Sequence, residues 1–135
     1  MGSWAVHSFG NDDAADWLLE LEEQDDLAFV RGTIAEVLEA DGYLESTYAT
    51  QALAAIEVIA ATLGRPTAAA RAEKPLMSWI RQSHHHPEPT LIASALRALD
   101  RIDADQSELR ELWQDGPDFA AWRQNIAELR AHLSG

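Results

Sequence analysis

The chain has no cysteine in its 135 residues. Disulfides, thiolate metal sites and cysteine nucleophiles are therefore excluded, and a reducing compartment suits it. No apolar run approaches the ~20 residues that a membrane span requires. The amino terminus lacks the basic, apolar and small-residue order of a signal peptide, and Val6 stands where a myristoylation signal needs Ser or Thr. A cytoplasmic protein with no membrane association is expected. Positive charge is also scarce: 10 Lys and Arg face 23 Asp and Glu, a formal net charge of −13. Residues 1–45 hold twelve acids against the single base Arg31, whereas residues 46–135 hold eleven acids and nine bases. Such a field repels phosphate backbones, so nucleic acid is not an expected partner. Strand-like alternation, hairpin dipeptides and internal repeats are absent. So are serine-hydrolase, phosphate-loop and dinucleotide fingerprints, and no cofactor is expected.

What remains is a helical chain of ordinary globular composition, with 47% apolar residues and five tryptophans. Its length predicts one domain over residues 1–135, burying about two-thirds of its unfolded surface. The segment Thr47 to Gly64, TYATQALAAIEVIAATLG, is apolar on nearly every face of a helix. That is the pattern of an element surrounded by others. Leu53, Ile56, Ile59 and Leu63 supply bulk, while Ala54, Ala55 and Ala61 allow close approach. Each buried Leu, Ile or Val contributes about 1.5–3 kcal/mol of gross transfer energy. Glu57 interrupts the run.

Around that segment the sequence reads as six or seven helices in an irregular all-α bundle. Asn11 suits an N-cap, with Asp12 and Asp13 in the first turn, ahead of a stripe of Ala14, Trp17, Leu18 and Leu21. Leu27, Val30, Ile34, Val37 and Leu38 form a second stripe, with Gly42 placed for a left-handed turn beyond it. Arg65 to Lys74 reads as a connector. Pro75 opens a short helix with Leu76, Trp79 and Ile80, and Pro89 opens another with Ile92, Ala95, Leu96, Leu99 and Ile102. Asp105 with Glu108 reads as a capping box, and Phe119, Trp122, Ile126, Leu129 and Leu133 form the last stripe.

Gly2-x-Trp4, followed by Phe9-x-Asn11-Asp12-Asp13-Ala14-x-Asp16-Trp17, resembles the opening of a bacterial family known as domain of unknown function 4259. Ala55 to Pro66 and Ser107 to Trp113 are similar to two further blocks of that family, so the resemblance spans essentially the whole chain. It implies a small bacterial cytosolic protein and carries no activity with it. The family pattern places glycines between Trp4 and Phe9, where this chain has Ala5, Val6 and His7. An anion-cradling backbone at that point is not implied here.

Three groups of residues invite chemistry. His84, His85, His86 and Glu88 offer nitrogen and carboxylate ligands for zinc, nickel or copper, with His84, His86 and Glu88 the candidate metal ligands. Adjacent histidines on an extended chain point different ways, and a solvated proline-rich loop explains them as well. Asp12, Asp13, Asp16, Glu20 and Glu23 could meet a cationic partner; capping and dipole compensation account for the first of these without one. Glu57 on an apolar helix needs hydrogen-bond donors. The expectation is a structural clasp joining Glu57 to the amino-terminal segment through Trp4 and Asn11. The leading functional expectation is a non-enzymatic interaction protein of inhibitor or immunity type. It would engage a basic protein partner through the acidic face of its first two helices. The alternative is a metal-dependent or acid/base enzyme on Glu57 or the His84–His86 loop. Self-association as a homodimer, through apolar surface left uncovered, is the remaining partner expectation.

Overall fold

Alanine decides where the central helix can sit. In the computed structural model, which describes residues 6–83 and 85–134, every residue from Ala49 to Ala61 except Gln51 is buried on one helix. This is α3, Ser46–Thr62. It is preceded by α1, Asp12–Leu21, and α2, Ala28–Leu38. It is followed by α4, Ala68–Ala72; α5, Lys74–Ser83; α6, Pro89–Ile102; α7, Glu108–Gln114; and α8, Phe119–Ser134. Each of the other seven packs against α3. Ala49, Ala52, Ala54, Ala55 and Ala60 are wholly enclosed, so neighbours approach the backbone closely from several directions. One hydrophobic cluster draws residues from all eight helices. Among the described residues there is no strand; the fold is all-α. No helix among them is long and apolar enough to cross a membrane.

The helix boundaries follow local chemistry. Asn11 is extended and its Oδ1 accepts from the Ala14 amide at 2.8 Å, which caps α1. Trp17, Leu18 and Leu21 are buried from α1, and the Trp17 indole N–H donates to Thr33 Oγ1 of α2 at 2.9 Å. Trp17 also stacks on Phe29, with ring centroids 5.0 Å apart. At the far end of α3, Gly64 takes φ +84, and the Arg65 amide returns to the Ala60 carbonyl. That left-handed turn is one glycine adopts without strain.

Two places differ from the sequence reading. Residues 65–74 contain α4, a five-residue helix that the alanine content permitted but no apolar stripe announced. It forms because Thr67 caps it, its Oγ1 accepting from the Ala70 amide at 3.1 Å. The second difference lies at α7. Its cap is Ser107, whose Oγ accepts from the Arg110 amide, rather than Asp105. The Glu108 carboxylate instead accepts from the Ser46 amide at 2.8 Å, at the start of α3. Reciprocal backbone bonds, Leu44 N–H to the Gln106 carbonyl and Glu108 N–H to the Leu44 carbonyl, join the same two chain segments. The loop before α3 is thereby tied to the loop before α7.

Candidate functional site

Two regions concentrate polar chemistry, one open and one enclosed. The open one is a cleft of about 440 Å³ where α2 ends and α3 begins. Its walls carry four carboxylates, Glu36, Glu39, Asp41 and Glu45, together with Tyr43 and Tyr48, and no basic side chain. Tyr43 and Tyr48 are 49% and 39% exposed, so their rings are open to the cleft. The Tyr43 hydroxyl donates to Glu111 Oε1 at 2.7 Å. That bond, reinforced by the charges of Glu111 and Glu108, pushes its pKa up to about 12. Glu36 and Glu39 occupy the carboxyl end of α2, where the helix dipole is negative and disfavours anions. Neither α1 nor α2 has a basic residue in its last turn.

The acids singled out on α1 are also at the surface. Asp12, Asp16, Glu20 and Glu23 are exposed and Asp13 is half-buried. None of the five enters an ion pair among the described residues. Asp12 and Asp13 sit in the first turn, where the dipole favours them; Glu20 and Glu23 lie at the opposite end, where it does not. The concave part of the acidic surface is therefore not on α1. It lies beyond α2, and the signal in the sequence was four acids and two tyrosines closely spaced around Gly42.

The enclosed region runs along one face of α3. Thr50, Leu53 and Glu57 follow one another at helical spacing, and all three are buried. Glu57 is 0% exposed. Its Oε1 accepts from the Thr67 hydroxyl at 2.6 Å, while Oε2 has no partner. Burial raises its pKa above the ordinary carboxylate value; the nearby Ser8 and Thr67 hydroxyls and the His132 charge oppose the shift, and Glu128 adds to it. Ser8, itself 3% exposed, accepts from the Asn125 side-chain amide at 3.3 Å. It belongs to residues 6–11, which lie over the Thr50 end of this face. There Val6, His7, Ser8, Asn11, Thr50, Leu53, Leu109, Trp113 and Trp122 line a cavity of about 10 Å³, the space of a single water. Thr50 Oγ1 is buried without a partner.

Of the proposed clasp residues, Asn11 thus caps α1 and lines this cavity, and Glu57 bonds to Thr67; Trp4 lies outside the described residues. Thr67 and Ser8 were not singled out in the sequence. A hydroxyl ten residues away or in an irregular segment has no periodic signature. The histidine loop is less concentrated than its sequence. His84 lies outside the described residues, His86 is exposed, and Glu88 pairs with Arg31 at 3.0 Å. His85 rests against Trp79, with ring centroids 5.6 Å apart. Among the described residues no group of three or more His, Asp or Glu side chains is placed to hold a metal ion.

The profile of a domain of unknown function, DUF4259, matches residues 2–125, from the amino-terminal segment into α8. The chain belongs to the DUF4259 family. The match takes in the acidic cleft, the Thr50–Glu57 face and the residues 6–11 that cover its upper end. No curated protein and no solved structure matches this DUF4259 chain.

Proposed function

We propose that this DUF4259 protein is a non-enzymatic interaction module that receives a basic protein segment on the acidic side formed by α1 and α2. An inhibitor or immunity role is the kind of activity that such a surface serves. The observation that carries the reading is the placement of acids where folding disfavours them. Glu20, Glu23, Glu36 and Glu39 all sit near helix carboxyl ends, with no base in either last turn. Local stability does not account for them, whereas a cationic partner does. The cleft beyond α2 adds concavity and two exposed tyrosines, whose faces accept Lys or Arg side chains. Asp12, Asp13 and Asp16 extend the same field and steer the encounter.

The test starts with crosslinking in the native host to identify a partner, followed by association rates at increasing ionic strength. A basic partner whose on-rate falls steeply with salt supports the module. The combined variant Glu36→Gln, Glu39→Gln, Asp41→Asn and Glu45→Gln is expected to slow association at low salt while leaving helicity intact. An unchanged rate in that variant argues against the cleft. The enzymatic alternative has less behind it: Glu57 is fully enclosed, and Glu88 of the histidine loop is engaged by Arg31.

A further inference from the structure

The stretch of cleft wall from Asp41 to Tyr43 has no apolar anchor of its own. All three residues are exposed, and a methyl group added at Gly42 would meet nothing within 4 Å. The four carboxylates of the cleft repel one another, which pushes its walls apart. What holds the stretch is polar and comes from a distant part of the chain. Arg101, in the last turn of α6, donates through Nη2 to the Gly42 carbonyl. Through Nη1 it donates to the Gln106 carbonyl at 3.3 Å, and the Leu44 amide donates to that same carbonyl at 2.8 Å. One planar fork therefore ties the middle of the loop to the connection between α6 and α7. Gln106 takes φ 65, the one positive value at a non-glycine residue among the described residues. A Cβ disfavours that conformation, and such strain persists where the surroundings impose it, often beside binding sites.

We propose, resting on the cleft as the docking site of a basic segment, that Arg101 is its positioning residue. It fixes Asp41 and Tyr43 in advance for a cationic side chain of the partner. A wall already ordered loses less conformational freedom when the partner arrives. Arg101 grips the loop through a backbone carbonyl and is not among the residues that line the cleft, so it leaves the site open. As a charge alone, Arg101 would act in the opposite direction, because a cation beside the cleft repels a basic segment. Fork and charge thus predict changes of opposite sign when the residue is replaced.

The affinity of a hexa-arginine peptide, measured by isothermal titration calorimetry at low salt, separates the two. Arg101→Lys keeps the charge but replaces the planar fork with a single ammonium. It is expected to weaken binding about tenfold, as when two or three side chains must be ordered on association. Arg101→Gln is expected to weaken binding too, although it makes the protein more negative. In the Glu36→Gln, Glu39→Gln, Asp41→Asn and Glu45→Gln background, Arg101→Lys is expected to make no further difference. Circular dichroism establishes that each variant is folded. Amide exchange at Leu44 is expected to quicken in both Arg101 variants while α3 stays protected. Wild-type affinity in the four-acid variant overturns the cleft reading and this role of Arg101 together. Weak binding there, with Arg101→Lys at wild-type affinity or Arg101→Gln binding more tightly, overturns the positioning role alone. So does a loss from Arg101→Lys that persists undiminished in the four-acid background, since the effect then does not pass through the cleft.

Discussion

Glu57 is the residue at which burial and chemistry conflict most. Its carboxyl has one good donor, Thr67 at 2.6 Å, and one oxygen without a partner in a wholly enclosed site. A carboxyl whose folded pKa lies above its ordinary 4.5 contributes stability that is complete below about that pH. That contribution is lost as pH rises toward the folded value. Glu57→Gln retains the acceptor for Thr67 and cannot ionise. Its melting temperature is expected to exceed that of wild type at pH 7–8, with the gap closing toward pH 4.5; thermal melts across that range measure it. Glu57→Leu leaves the Thr67 hydroxyl without its acceptor and is expected to cost about 1–3 kcal/mol in urea unfolding at pH 5. The misfit itself was legible in the sequence, as the one ionisable side chain in an apolar helix. Its partners were not, because Ser8 and Thr67 reach it through chain reversals that no periodicity encodes.

At the scale of elements, α3 and its termination control the packing. Ala54 and Ala55 are both 0% exposed, so the small side chains set the distance at which neighbouring helices lie. Ala54→Leu would force extra methylenes into that contact and is expected to destabilise by about 1–3 kcal/mol, read from the denaturant midpoint. Gly64 is a different kind of constraint. A methyl group added there meets nothing within 4 Å, yet the backbone holds φ +84. Gly64→Ala is therefore expected to cost about 1–2 kcal/mol through conformation alone, the ordinary penalty of a left-handed residue with a Cβ. A cost near zero in the same measurement would mean that the turn relaxes. Below this turn Arg65 donates to the carbonyls of His132 and Leu133 at 2.7 and 3.2 Å, fixing the end of α8 against the end of α3. Apolar stripes placed α1, α2, α3, α6 and α8 in the sequence. The short α4 had none, since five residues held by one threonine cap create no period to detect.

Across the whole molecule the charge is lopsided. The ion pairs of Arg110 and Arg123 with Asp103, and of Arg130 with Asp100, gather on the α6–α8 side. Most of the negative excess lies instead in residues 1–45, which hold twelve acids and one base and supply α1, α2 and the acids of the cleft. Repulsion among those acids opposes the compact state and is screened by salt. The melting temperature is accordingly expected to rise between 10 and 150 mM NaCl. The four-residue neutralised cleft variant is expected to show a smaller rise; calorimetry at the two salt concentrations compares them.

Taken alone, the amino-acid order determined an all-helical chain, its alanine-rich central helix, the acidic leading third and the apolar stripes that bury Trp17, Trp79 and Trp122. These are consequences of spacing and composition, which act within a few turns of chain. Tertiary structure decided that the closely spaced acids after α2, Tyr43 of the loop and Tyr48 of α3 wall a concave cleft rather than a flat surface. It also decided that Ser8 and Thr67 approach Glu57 from opposite directions along the chain. Those encounters depend on how helices cross after loops of irregular conformation, and loop geometry is set by the packing it permits rather than by a repeating pattern.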